Sequence, residues 1–129
     1  MGAQYLIDTN AVIELLGGTL PSSGSQWLQN IINQNDHCLS VINQIELLGF
    51  NGSPAEMAIL NSFIQISAIL PLNDTIAQET IRLRKAYRIK LPDAIIAATA
   101  LVHNCILVTN NISDFQTISG LVCDNAHNH

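Results

Sequence analysis

Three of the ten carboxylates in this chain, Asp8, Glu46 and Asp93, stand inside apolar runs: YLIDTN, VINQIELLGF and KLPDAIIAA. An acid that only solubilises a surface belongs among polar residues, because an unpaired buried carboxylate is strongly disfavoured or takes up a proton. Three such acids ask for a shared counter-ion. Protein cations are scarce near Asp8 and Glu46, since all five Lys and Arg residues lie between Arg82 and Lys90. A divalent metal is the natural substitute. Hard oxygen ligands without thiolate or imidazole suit Mg2+ or Mn2+, which keep several waters and are held by one or two carboxylates plus substrate phosphate. Such an ion lowers the pKa of a water and offsets charge on a phosphodiester, so no Ser, His or Cys nucleophile is required.

Taken singly, each acid has a structural explanation. Asp8 could cap the helix that follows it, Glu46 could be the N3 acid of a capping box begun by Asn43, and Asp93 could complement a helix dipole. Taken together they are better explained by convergence, which requires elements that bring distant segments to one edge. Short β-like runs alternate with longer helical patterns, the order expected of βαβ units. The fold class is therefore α/β, a three-layer α/β/α sandwich with a central parallel sheet. Strands are expected at Gln4 to Ile7, His37 to Val41, Ala68 to Pro71, Cys105 to Val108 and Leu121 to Cys123. Helices fill the gaps: Asn10 to Leu16, bounded by Gly17-Gly18; Gln26 to Asn33; a helix through Phe63 started by the capping box Ser53-Pro54-Ala55-Glu56; one from Asn73 or Asp74 to about Ile89; and one opened by Pro92. Ligands bind outside the carboxyl ends of the strands in open parallel sheets, and Asp8 follows the first strand.

The length suits one domain, residues 1–123, with 124–129 as a polar C-terminal tail. Charged residues make up 12% of the chain, about half the usual share, so some surface is expected to be covered by a homodimer contact or a partner. Cys38, Cys105 and Cys123 read as reduced core residues of a cytoplasmic protein. No apolar stretch is long enough for a membrane span.

Four segments, YLIDTNAVIELL, SVINQIELLGF, RIKLPDAIIAATALVHNCILVTNN and ISDF, resemble the PIN-domain ribonucleases, and most closely the VapC-type toxins of type II toxin–antitoxin systems. The resemblance spans nearly the whole chain. It implies Mg2+- or Mn2+-dependent endonucleolytic cleavage of RNA, with Asp8 and Asp93 as the metal ligands and Glu46 as the acid that helps hold metal or activating water. It also implies a cognate antitoxin that covers the groove, and homodimerisation. The fourth site departs from the family pattern. Asn111 stands where an acid is common in the run Thr109 to Phe115, so Asp114 becomes the candidate fourth carboxylate, with Thr109 and Asn111 as neutral oxygens able to hold the metal's waters.

A net charge of −5 argues against a general nucleic-acid binder, but the distribution matters more. The window Arg82 to Lys90 holds every Lys and Arg and no acid, and it ends just before Asp93. On a helix, Arg84, Lys85 and Arg88 share one side, opposite Ile76, Leu83 and Tyr87; with Lys90 they could grip a phosphate backbone. Gathering cations in the last turns of a helix also suits its macrodipole. Competing functions fit less well. A haloacid-dehalogenase-type phosphatase needs an acid where Asn10 stands, and a receiver domain needs a late Lys, absent after Lys90. A catalytically weak PIN-like module that binds RNA or protein is the remaining alternative.

Overall fold

The computed structural model describes residues 3–129, so the first two residues of the expected 1–123 domain lie outside it. Five parallel strands form one sheet in the order β3-β2-β1-β4-β5, with β1 (Tyr5–Ile7) flanked by β2 (His37–Ser40) and β4 (Ile106–Val108). Outside these lie β3 (Ala68–Leu70) and β5 (Cys123–Asp124). The central strands β1 and β4 are apolar on both faces, as a parallel sheet covered on both sides requires. Leu6, Cys38 and Leu107 enter a core shared with Ile76, Leu83 and Ile96, whereas Ile7, Leu39 and Val108 enter one shared with Val12, Leu28 and Leu60. That period of two fixes the register, because a one-residue slip would exchange the two cores. Each fully buried Leu, Ile or Val contributes about 1.5–3 kcal/mol.

On one face lie α1 (Thr9–Gly17), α2 (Ser22–Asn33) and α4 (Pro54–Gln65); on the other, α5 (Asp74–Ala86) and α6 (Leu91–His103). The three-layer α/β/α sandwich read from the sequence is the fold observed. Helix α3 (Val41–Leu48) starts where β2 ends, and α7 (Ile112–Phe115) is a single turn pinned by buried Phe115. The chain runs outward from β1 through β2 to β3, then crosses to β4 on the other side of β1. The carboxyl ends of β1 and β4 thus form the topological switch point, where open sheets bind ligands.

Local chemistry sets the ends. Gly18 adopts φ 72° and caps α1 by donating to Glu14 and Leu15 carbonyls. Ser53 and Glu56 form the expected capping box on α4. Helix α5 stops at Ala86 rather than near Ile89, because Tyr87 turns extended while Arg84 Nη1 bonds the Ile89 carbonyl (2.8 Å). Arg88 and Lys90 therefore lie on the connection to α6, not on a helical side shared with Arg84 and Lys85. The segment 124–129 is folded: Asp124 completes β5, Ala126–Asn128 forms a 3-10 turn, and Ala126 is buried against α2. Gly24 permits this approach, since a Cβ there would stand 2.1 Å from the Ala126 carbonyl oxygen.

Candidate active site

Asp8 closes β1 and caps α1, so its position is dictated by two elements at once. It is only 6% exposed. Oδ1 accepts from the Thr9 amide (2.9 Å) and lies 3.5 Å from Asn43 Nδ2; Oδ2 accepts from Thr109 Oγ1 (2.9 Å) and Asn10 Nδ2 (3.1 Å). Burial pushes its pKa up, Thr109 and the Thr9 amide pull it down, and the charge of Glu46 raises it again. A carboxyl with donors on both oxygens is held in one orientation. The capping role and the convergent site are thus compatible at this residue.

Glu46 approaches from α3 on the exposed side, where its Oε1 accepts from Thr9 Oγ1 (2.7 Å). It is not the acid of a capping box begun by Asn43. That box is begun by Ser40, whose amide donates to Asn43 Oδ1 (2.8 Å) while Ile42 N donates to Ser40 Oγ (3.0 Å). Asn43 is fully buried, and its amide reaches Thr9 Oγ1 (3.1 Å), tying α3 to the Asp8 turn.

Asp93 stands half-buried in the first turn of α6, where Pro92 helps set the helix start. Its pKa is raised, first by burial, then by the charges of Asp8, Asp114 and Glu46, with Lys90 alone opposing. Four acids from four parts of the chain therefore share one electrostatic site. Asp114 is exposed within α7, and its amide bonds the Asn111 carbonyl (3.0 Å). Thr109 follows β4 and is fully buried; besides bonding Asp8 it accepts from Asn111 N (3.1 Å). Asn111 is exposed beside it.

Three residues of this network, Thr9, Asn10 and Asn43, escaped the sequence reading of the site. Their signal was present: Thr9 and Asn10 directly follow Asp8, and Asn43 lies three residues before Glu46. Short amides and hydroxyls at helix starts look like caps, which hid them.

The donor set fits a hard divalent cation. Two carboxylates, Asp8 raised by burial and the charge of Glu46 and Asp93 raised by burial and the charges of Asp8, Asp114 and Glu46, would be relieved by one positive charge. Among the described residues no three His, Cys, Asp or Glu side chains form a ready cage. The cationic residues Arg84, Lys85, Arg88 and Lys90 are exposed, on the end of α5 and the connection leading to Asp93. Arg82 is engaged by Glu79 through two hydrogen bonds, of 2.9 and 2.6 Å.

The PIN domain model matches residues 5–121. No curated protein matches in sequence. Among solved structures, a toxin–antitoxin complex from Klebsiella pneumoniae is 31% identical with a TM-score of 0.78, over 92% of this chain and 96% of that one. VapBC2 from Rickettsia felis, bound to a promoter DNA fragment, is 25% identical with a TM-score of 0.79, over 94% and 97%. DNA-bound VapBC from Salmonella typhimurium shares the fold at 24% identity and a TM-score of 0.81, over 97% and 99%. With a family match across nearly all of its length and an acidic site at the switch point of the sheet, this chain belongs to the PIN-domain family.

Proposed function

We propose that this chain is a Mg2+- or Mn2+-dependent endoribonuclease and the toxin of a toxin–antitoxin pair. The observation that carries the reading is Asp93: three other carboxylates, and only Lys90 against them, act on its charge at the switch point. PIN domains of the VapC type are nucleases, which sets the class of reaction as phosphodiester hydrolysis.

Asp8 and Asp93 would hold the ion and Asn111 would orient its waters, whereas Thr109, expected to do the same, is fully buried with its hydroxyl bonded to Asp8 and to Asn111 N and would act through Asp8 instead. When bound, the ion lowers the pKa of a water and offsets charge developing on the phosphodiester. The rest falls to the chain. Thr109, Thr9 and Asn10 keep Asp8 from rotating, so its oxygens stay aimed as acceptors. Glu46, anchored by Thr9 and open to solvent, would take a proton from an attacking water. Asp114 adds negative potential at the mouth. Arg84, Lys85, Arg88 and Lys90 grip the RNA backbone beside Asp93.

An antitoxin partner is supported by the groove of about 240 Å³ between α1, α3 and α4, lined by Ile13, Leu16, Leu47, Phe50 and Ile59 and bordered by Glu46. A chain seated there covers Glu46. Homodimerisation is proposed from the low charge content and apolar side chains left exposed, such as Ile81 and Leu91. Among the described residues no helix is long and apolar enough to cross a membrane, and we place the protein in the cytoplasm on its three free cysteines.

The test is incubation of end-labelled total RNA and a matched DNA with purified protein, with Mg2+ or Mn2+ and with EDTA. Discrete RNA fragments that require metal support the proposal. RNA that binds but stays intact favours the weak binding module instead.

A further inference from the structure

We infer that Glu14 and His127 are positioning residues for the active-site loop 109–111, an inference that rests on the nuclease reading above. The C-terminal segment reaches the site through one continuous chain of hydrogen bonds. His127 Nε2 faces Glu14 Oε2 at 2.6 Å, and since a carboxylate only accepts, this nitrogen carries the proton. Glu14 Oε1 accepts from Asn110 Nδ2 (2.8 Å); Asn110 N donates to Asn10 Oδ1 (3.1 Å); and Asn10 Nδ2 donates to Asp8 Oδ2 (3.1 Å). Four elements, the 3-10 turn, α1, the loop after β4 and the end of β1, are linked in this way: Glu14 and Asn10 each use both ends of the side chain, and Asn110 joins them through its side-chain and backbone N–H groups.

The far end of the chain is anchored independently. The Ala126 carbonyl sits where a Cβ on Gly24 would be, the His129 ring stacks on Trp27 with centroids 3.8 Å apart and planes at 4°, and Ser23 Oγ donates to the His129 carbonyl. The Thr109 amide also donates to the Asp124 carbonyl (3.0 Å), so the same segment holds the loop by its backbone. An exposed ion pair alone would contribute little, and the His127 and Glu14 side chains are 37% and 20% exposed. Their effect is geometric: Asn110 is exposed, and Glu14 decides where its side chain points. Asn110 in turn fixes the loop whose Thr109 holds Asp8 and whose Asn111 faces solvent.

The experiment compares wild type with His127→Ala, His127→Gln, Glu14→Gln and Gly24→Ala. It measures amide hydrogen exchange at Asn110 in metal-free protein, and kcat and KM for one short RNA. Gly24→Ala evicts the segment without touching any member of the chain, and alanine suits a helix better than glycine. His127→Ala and Gly24→Ala should speed Asn110 exchange by about tenfold and lower kcat by about tenfold, with KM within about twofold, the size of one charge-assisted hydrogen bond. Glutamine at 127 can still donate to Glu14, so His127→Gln should restore most of both. Unchanged exchange in His127→Ala, or equal losses with alanine and glutamine, overturns the assignment. If wild type cuts no RNA while the exchange pattern holds, the nuclease reading fails and the strut stands.

Discussion

Replacing Asp93 by Asn in the metal-free protein should make it more stable, although the change removes an acid from the first turn of α6. Burial and the charges of Asp8, Asp114 and Glu46 disfavour the ionised carboxyl, and Lys90 alone favours it. Asp93 is only half-buried, so solvent screens each charge pair to about 0.2–1 kcal/mol. Three repulsions against one attraction leave about 0.4–2 kcal/mol, and burial adds to this. The helix dipole opposes with about 0.3–1 kcal/mol. Asparagine should therefore win by about 1 kcal/mol, a rise in Tm of about 3–5 °C for a domain this size. The direction with pH follows from the raised folded-state pKa. Above it the charge destabilises the fold; below the unfolded value of 3.8 it is absent in both states. The advantage of Asp93→Asn should thus be largest at neutral pH and vanish toward pH 4. Metal reverses the order, because an ion at a hundred times its Kd stabilises wild type by about 2.7 kcal/mol, most of which the variant forfeits. Calorimetry in EDTA and in Mn2+, across that pH range, reads all three effects. A variant less stable than wild type in EDTA at neutral pH would refute the reasoning, and would show that Asp93 serves the helix terminus.

Three further outcomes are expected. Thr109→Val removes a hydrogen bond to a charged group worth about 1.5–3 kcal/mol, so cleavage should slow by about 10–100-fold; because Thr109 is the strongest influence lowering the Asp8 pKa, the acid limb of the pH–rate profile should move to higher pH. Substituting Arg84, Lys85 and Arg88 by Gln should weaken RNA binding and flatten the log–log salt slope by about 2, at about 0.7 per lost phosphate contact; an unchanged slope in a filter-binding titration rules the patch out. His37 is buried with no partner for Nδ1 among the described residues, and since Ser67 Oγ gives its proton to the Phe63 carbonyl, Nε2 must donate to Ser67. Burial lowers its pKa below 6.5, so the unfolded chain binds the proton first and stability falls as pH drops below 6.5, by up to about 1.4 kcal/mol per pH unit. His37→Phe, compared by urea unfolding between pH 5 and 8, should lose that slope.

The sandwich was legible because its causes are local: apolar runs of strand length, Gly18 and Asn73 at helix ends, and the Ser53–Glu56 box each act within a few residues. Asp8 and Asp93 were legible because a carboxylate inside an apolar run is a conspicuous conflict. What stayed hidden depends on distant neighbours. Asn43 looks like a cap until its amide is seen against Thr9. The segment 124–129 reads as a tail because Ala126 is its lone apolar residue, and the notch that receives it is made by Gly24, a hundred residues earlier. The early end of α5 has a similar origin, in the Arg84 bond to Ile89 and in Tyr87, whose hydroxyl accepts from Ser119 N (3.1 Å).

The most direct test is the single-turnover rate of cleavage of one RNA at saturating Mn2+ by wild type and by Asp93→Asn, purified side by side and both confirmed folded by calorimetry. A fall of at least about a hundredfold in the variant, the scale seen when a key electrostatic contact to the transition state is lost, is the result expected if this acidic cluster is the catalytic centre. Equal rates would place the activity elsewhere, in another site or a contaminating nuclease, and would contradict the assignment.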